Sequence, residues 1–124
     1  MLTVDYGQLE LAEGDLILDM GCGAGRHVFE SYRQGARVIA LDYSHEDLVG
    51  VGRLLWAMTE EGETTARSES LTVQGDALSL PFADAIFDRI IASEVMEHLD
   101  DPNRLIADVA SRIEPDGCLL LSMP

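Results

Sequence analysis

The chain has 124 residues, 47% of them hydrophobic and 25% charged, a balance that suits one globular domain with a single sheet and excludes a fibrous repeat or a disordered tail. Its 8 basic and 23 acidic side chains leave a formal net charge of -15, which repels a phosphate backbone or an anionic membrane and disfavours a nucleic-acid partner. No apolar run is long enough to span a bilayer and Met1 to Tyr6 lack the pattern of a secretion signal, so a cytoplasmic location is expected.

In chain order, Leu16, Ile17 and Leu18 read as the end of a buried strand that stops at Asp19 and breaks into Gly21, Gly23 and Gly25. Alternating glycines permit a turn whose backbone approaches a ligand where a Cβ would block it. Arg26 to Tyr32 then starts a helix whose first N–H groups face that ligand. Gly35 stops this helix, and Arg37 to Asp42 forms a second buried strand that also ends in an acid. Ser44-His45-Glu46-Asp47 has capping-box spacing with Asp in place of Glu, and Leu48, Val51, Leu55 and Met58 give the next helix an apolar stripe. A polar loop from Glu60 to Glu69 follows.

Leu71 to Gln74 reads as a third strand closed by Gly75-Asp76, and Pro81 forbids a regular helix through Leu80 to Phe82. Ile86 to Ser93 is the fourth strand, and Asp101-Pro102 opens a helix with a cap and a first-turn proline. Its expected buried face is Leu105, Ile106, Val109 and Ile113. Pro115-Asp116-Gly117 turns the chain into a fifth strand, Cys118 to Ser122. Strands alternating with helices predict an α/β fold, a doubly wound parallel sheet with right-handed crossovers, and a single domain over residues 1–124. Cys22 and Cys118 offer neither a disulfide framework nor metal spacing and read as reduced thiols.

The ligand side of this sheet carries three acids after strands. The Gly21-x-Gly23-x-Gly25 spacing departs from the dinucleotide fingerprint, which needs its third glycine where Arg26 stands, and this argues against NAD or FAD. Asp42 is placed to accept from both hydroxyls of a ribose, with Tyr43 beside it to pack on sugar or base. An Asp after a strand is most often a turn former, but after a glycine turn it becomes evidence for a nucleoside. Asp76 could accept from an exocyclic amine while the N–H of Ala77 or Leu78 donates to a ring nitrogen; a plain Gly-Asp turn is the other reading. Glu94, Glu97 and His98 fall at i, i+3 and i+4, where they could share one face, binding a cation or acting as a base, or else form a capped surface turn. His27 and His45 read as helix-start residues with exposed groups nearby.

Leu18 to Gly25, Val38 to Ser44, Gln74 to Phe87, Ser93 to Pro102 and Glu114 to Leu121 resemble successive motifs of the class I S-adenosylmethionine-dependent methyltransferases. Asp19 to Arg26, Leu80 to Asp84 and Glu97-His98-Leu99 resemble in particular the type 11 group, which includes ubiquinone and menaquinone biosynthesis methyltransferases. The resemblance implies a Rossmann-like sheet of strand order 3-2-1-4-5, with S-adenosyl-L-methionine as cofactor and a small-molecule methyl acceptor. It implies that Asp19 with Gly21, Gly23 and Gly25 holds the methionine part, Asp42 with Tyr43 the ribose side, Asp76 and Ala77 the adenine, and that Ser93 faces the cofactor amine or methyl group. Glu94, Glu97 and His98 are similar to a magnesium site of some quinone O-methyltransferases, yet the same string is common in type 11 members without a metal, so no metal is expected and no catalytic residue is assigned. The family's last two strands lie beyond Pro124, which implies a C-terminally truncated chain whose fifth strand is an exposed edge open to self-association. The alternative to a methyltransferase is a non-catalytic module that binds the cofactor or its product, or that only assembles with a partner.

Overall fold

The computed structural model describes residues 6–9, 11–76, 80–83, 85–93 and 101–122. Its elements are α1 (Tyr6–Leu9), β1 (Leu16–Met20), α2 (Arg26–Arg33), β2 (Arg37–Asp42), α3 (His45–Glu60), β3 (Glu69–Gln74), β4 (Phe87–Ser93), α4 (Pro102–Ala110) and β5 (Ile113–Ser122). The five strands form one sheet in the order β3-β2-β1-β4-β5, every neighbouring pair parallel. This is the doubly wound order expected for the first five strands, and it puts a topological switch between β1 and β4, beside the glycine turn.

Alternate residues of the central strands feed two separate cores. Ile17, Val38, Ala40 and Ile91 pack under Val28 and Tyr32 of α2 and Leu48, Val51, Leu55 and Met58 of α3. Leu18, Met20, Leu41, Ile90 and Ala92 face the other way, against Leu80, Phe87 and the Leu105 and Val109 stripe of α4. A strand covered on both faces cannot alternate polar with apolar residues, which is why these strands read as unbroken aliphatic runs. Polar pins act within each layer: the Tyr32 and Thr59 hydroxyls lie 2.7 Å apart between α2 and α3, and the Leu16 N–H of β1 donates to the Asp88 carboxylate of β4 at 2.8 Å.

Helix boundaries follow the capping signals. Ser44 caps α3 by accepting from the Asp47 N–H at 3.2 Å, and Asp101 caps α4 from the Arg104 N–H at 3.2 Å. The reciprocal half of the α3 box is replaced, because the Ser44 N–H donates to Asp42 at 2.8 Å. Gly35, with a φ of 96°, closes α2 as its N–H donates to Tyr32 and the next N–H, from Ala36, donates to Ser31.

Three boundaries differ from the sequence reading. β3 starts at Glu69, two residues before Leu71, because β2 offers partners as far back as Arg37. Ile113 belongs to β5 rather than to α4; the helix ends at Ala110, the Arg112 N–H turns back to the Val109 carbonyl at 3.0 Å, and Ile113 pairs with Phe87. The Pro115-Asp116-Gly117 turn is absorbed inside β5, since Phe87 pairs with Ile113 but Arg89 with Cys118, so two steps along β4 face five along β5. Proline has no N–H for the ladder, and the surplus residues form a bulge there. The short α1 has no counterpart in the sequence pattern.

Ile90 is 0% exposed between β1 and β5 and Trp56 on α3 is 68% exposed. Ile90→Ala is expected to cost about 2–5 kcal/mol in urea denaturation, whereas Trp56→Ala changes stability by no more than about 0.5 kcal/mol.

Candidate cofactor site

At the carboxyl end of β1 the chain leaves the sheet at Met20 and enters the glycine turn before α2. Residues Asp19, Gly21, Cys22, Gly23, Ala24, Gly25, Arg26 and His27 line a cleft of about 320 Å³. Two of the three glycines have different tasks. Gly23 takes a φ of 56°, and a Cβ added to it would meet no atom within 4 Å, so the backbone is bare where it faces open space. Gly25 caps α2 with a φ of 95° and no side-chain bond, and a Cβ there would lie 2.8 Å from Phe29 and 2.9 Å from Val51. Gly25 is a packing glycine, and Gly23 is an access glycine.

The turn is strapped to the end of β2. The Cys22 N–H donates to the Leu41 carbonyl at 3.0 Å and the Gly23 N–H to the Asp42 carboxylate at 2.8 Å. The other Asp42 oxygen accepts from the Ser44 N–H at 2.8 Å, and the Asp42 carbonyl accepts from the Gly75 N–H at 3.0 Å. Asp42 therefore joins the glycine turn, the start of α3 and the end of β3. A carboxylate has about four acceptor positions, so two backbone donors leave room for hydroxyls of a ligand.

Asp19 is the other acid of the site and lives in different surroundings. It is 3% exposed, and its Oδ2 has no hydrogen-bond partner. Burial pushes its pKa up to about 8; Arg26 pulls it down and Asp42 adds to the rise. The Cys22 thiol is buried in the core under α2 and α3, and burial followed by the charges of Asp19, Asp42 and Asp47 raises its pKa, so it is a neutral packing group and no nucleophile.

Of the residues expected at the site, Asp19, Gly21, Gly23 and Gly25 share the cleft and Asp42 is bonded to its rim. Tyr43 projects from the end of β2 with 79% of its surface exposed, its carbonyl held by the Gln74 side chain at 3.1 Å. Asp76 is exposed two residues beyond β3, on the same carboxyl edge of the sheet, and Ser93 is the last residue of β4, paired with Ser122. Ala77 and the Glu94, Glu97 and His98 set lie outside the described residues. Among the described residues no group of three or more His, Cys, Asp or Glu is placed to hold a metal.

Two placements correct or extend the sequence reading. His27 does begin α2, but it is only 2% exposed and forms part of the cleft wall, because the helix packs against α1 and the sheet at this point. Tyr6 of α1 donates to the His27 carbonyl at 2.7 Å, lies 2.8 Å from the Ser31 hydroxyl, and is held well above its ordinary pKa, chiefly by burial. A four-residue helix carries no periodicity that would have signalled this contact.

A parallel sheet with a glycine turn at its switch point, one acid under the turn and another at the end of the next strand is a nucleoside-cofactor domain. The Methyltransferase domain family matches residues 18–121. The demethylmenaquinone methyltransferase of Thermobifida fusca is 34% identical over 108 residues, covering 87% of this chain and 43% of the relative. The ubiquinone biosynthesis O-methyltransferase of Xanthomonas euvesicatoria is 37% identical over 115 residues, covering 93% and 45%. The YcgJ protein of Bacillus subtilis superposes with a TM-score of 0.75 at 28% identity, covering 93% of this chain and 46% of that one. The chain belongs to the methyltransferase-domain family, whose cofactor is S-adenosylmethionine, and it spans less than half the length of these relatives.

The site residues fit that cofactor. Its methionine part carries an ammonium group, and the cleft is lined by a buried carboxyl whose Oδ2 is unpartnered. Gly25→Ala is expected to destabilise the fold by about 2 kcal/mol or more, through overpacking and a left-handed backbone, in thermal or urea unfolding. Gly23→Ala carries only the backbone cost of about 1 kcal/mol, yet fills the face that a ligand would approach.

Proposed function

We propose that the protein transfers the methyl group of S-adenosylmethionine to a small-molecule acceptor by in-line displacement. The observation that carries this reading is the pairing of the bare Gly23 backbone with the Asp42 carboxylate that holds it, beside a cleft that Gly23 and Asp19 both line. The cofactor supplies a methyl group already activated on a sulfonium. In this reading the chain's residues bind and align. The glycine turn and Asp19 hold the methionine part, Asp42 accepts from the ribose hydroxyls, Tyr43 covers sugar or base, and Asp76 with Ala77 reads the adenine edge. Ser93, at the end of β4 next to β1, faces the reacting end.

Alignment and exclusion of water account for most of the rate in such a displacement, and no acid–base pair among these residues is required. The acceptor class is supported by the names of the relatives, which act in quinone biosynthesis, and by the acidic chain, whose net charge of -15 disfavours polyanions. Residues 1–124 act as one cofactor-binding domain in this reading. No helix among the described residues is long and apolar enough to cross a membrane, and a cytoplasmic location suits both the cofactor and the reduced Cys22 thiol.

Asp42→Ala removes charge-assisted bonds to the ligand and the brace on Gly23, and is expected to weaken S-adenosylmethionine binding by about 2 kcal/mol in titration calorimetry. Tyr43→Ala is the cleaner variant, because an exposed side chain can be removed with a stability change within about 0.5 kcal/mol while affinity falls. Unchanged affinity in both variants would remove the ribose assignment. β5 is an edge of the described sheet, and pairing of that edge with a second copy should appear as concentration-dependent mass in light scattering; a constant monomer mass overturns it.

A further inference from the structure

Among the described residues six large apolar side chains are exposed, and three of them, Val49, Leu54 and Trp56, stand on α3. The helix buries Leu48, Val51, Leu55 and Met58 against the sheet and α2, so Arg53 falls at the centre of the opposite face. Val49 and Trp56 lie to one side of Arg53, and Gly50, Leu54 and Ala57 lie to the other. Apolar side chains gathered in this way and rimmed by charge mark a contact surface, whereas scattered ones do not.

Two glycines interrupt the same helix. Gly50 and Gly52 occupy interior positions, where glycine weakens a helix relative to alanine. A Cβ added to either would meet no atom within 4 Å, and neither has a positive φ, so neither packing nor backbone geometry among the described residues calls for glycine. Together they leave the backbone bare among Val49, Leu54 and Trp56, where a bulky side chain of another molecule can approach closely.

Charge selects that molecule. Glu46 lies two turns before Arg53 and Glu60 two turns after it, each about 10 Å away along the axis, and all three are exposed. Asp47 and Glu61 reinforce the two acidic ends. The face therefore runs acid, base, acid. Two copies packed antiparallel about Arg53 would set Glu46 against Glu60 and Arg53 against Arg53, and a parallel pair would set each charge against itself. A second copy is repelled at every position, and the net charge of -15 on each chain adds to the repulsion. An anionic lipid surface is repelled by the same charge.

We propose that the exposed face of α3 docks an amphipathic helix of a partner protein whose charges run base, acid, base at the same spacing, with bulky apolar side chains between them seated over Gly50 and beside Trp56. The partner's cations meet Glu46 and Glu60, and its acid meets Arg53. Burial of Val49, Leu54 and Trp56 supplies the affinity, and the charges fix the register. None of these residues lines the cofactor cleft, so docking does not depend on the cofactor reading.

Trp56 is the only tryptophan of the chain, which makes its emission a local reporter of this face. The probe is a synthetic peptide of about 20 residues, long enough to hold a helix, built of Ala with a Leu stripe and bearing a lysine two turns to either side of a central glutamate. Titrated into the full chain, it should shift Trp56 emission to the blue. It should also bind at least about tenfold more tightly than the peptide with its charges exchanged, because three pairs pass from attraction to repulsion. Glu46→Lys combined with Glu60→Lys should remove that preference. Gly50→Gln places a better helix former on an open face, so the urea midpoint should hold or rise while affinity for the first peptide falls by about fivefold or more. No emission shift with the first peptide, equal affinity for both peptides, an unchanged preference in the double variant or undiminished binding to Gly50→Gln each overturns the proposal. A Trp56 shift that grows with protein concentration alone assigns the face to a second copy, and a shift with phosphatidylcholine vesicles alone assigns it to a lipid surface; either result overturns the partner helix.

Discussion

The Asp42 carboxylate is the point on which the ligand side of this domain hangs. One oxygen holds the Gly23 N–H and the other holds the Ser44 N–H. The first bond sets the glycine turn relative to β2, and the second sets the start of α3. The Asp42 carbonyl adds the end of β3 through Gly75. Three connections that leave the sheet at its carboxyl edge are thus tied to one residue, in a doubly wound fold whose ligands bind outside that edge. Charge-assisted bonds to backbone donors are short and directional, so the turn keeps its shape before a ligand arrives.

Asp19 and Asp42 are two acids near the ends of adjacent strands, offset by two positions because Asp19 pairs with Ala40, with opposite environments. Asp42 is half-exposed and supplied with donors, whereas Asp19 is buried and its Oδ2 has none. Preorganised acceptors with spare lone pairs hold hydroxyls well, and a buried oxygen without a partner is costly.

The apolar stripe Leu48, Val51, Leu55 and Met58, the caps Ser44 and Asp101, and the glycine turn were all legible in the chain, because each depends on residues close together in sequence. The strand order was legible only through likeness to a family, since nothing local says which strand lies beside which. The fifth strand's true start was hidden by Pro115-Asp116-Gly117, a turn signal that pairing with β4 turned into a bulge. Ile113 fitted a helical stripe by spacing and became a strand residue once Phe87 offered it a partner. The burial of His27 was not legible, since Tyr6, which donates to its carbonyl, lies 21 residues away in the chain.

The sequence by itself determined where the glycine turn lies, that β1 and β2 are largely aliphatic runs, and that an acid stands at or near the end of each of the first three strands. Those properties reside in residue type and short spacing. Only the tertiary structure decided that Asp42 is also a brace, that Gly25 guards packing while Gly23 leaves an opening, and that Asp19 is buried with an unpartnered Oδ2. Burial and hydrogen-bond supply are set by neighbours that arrive from distant parts of the chain. They give two identical side chains different surroundings within one site.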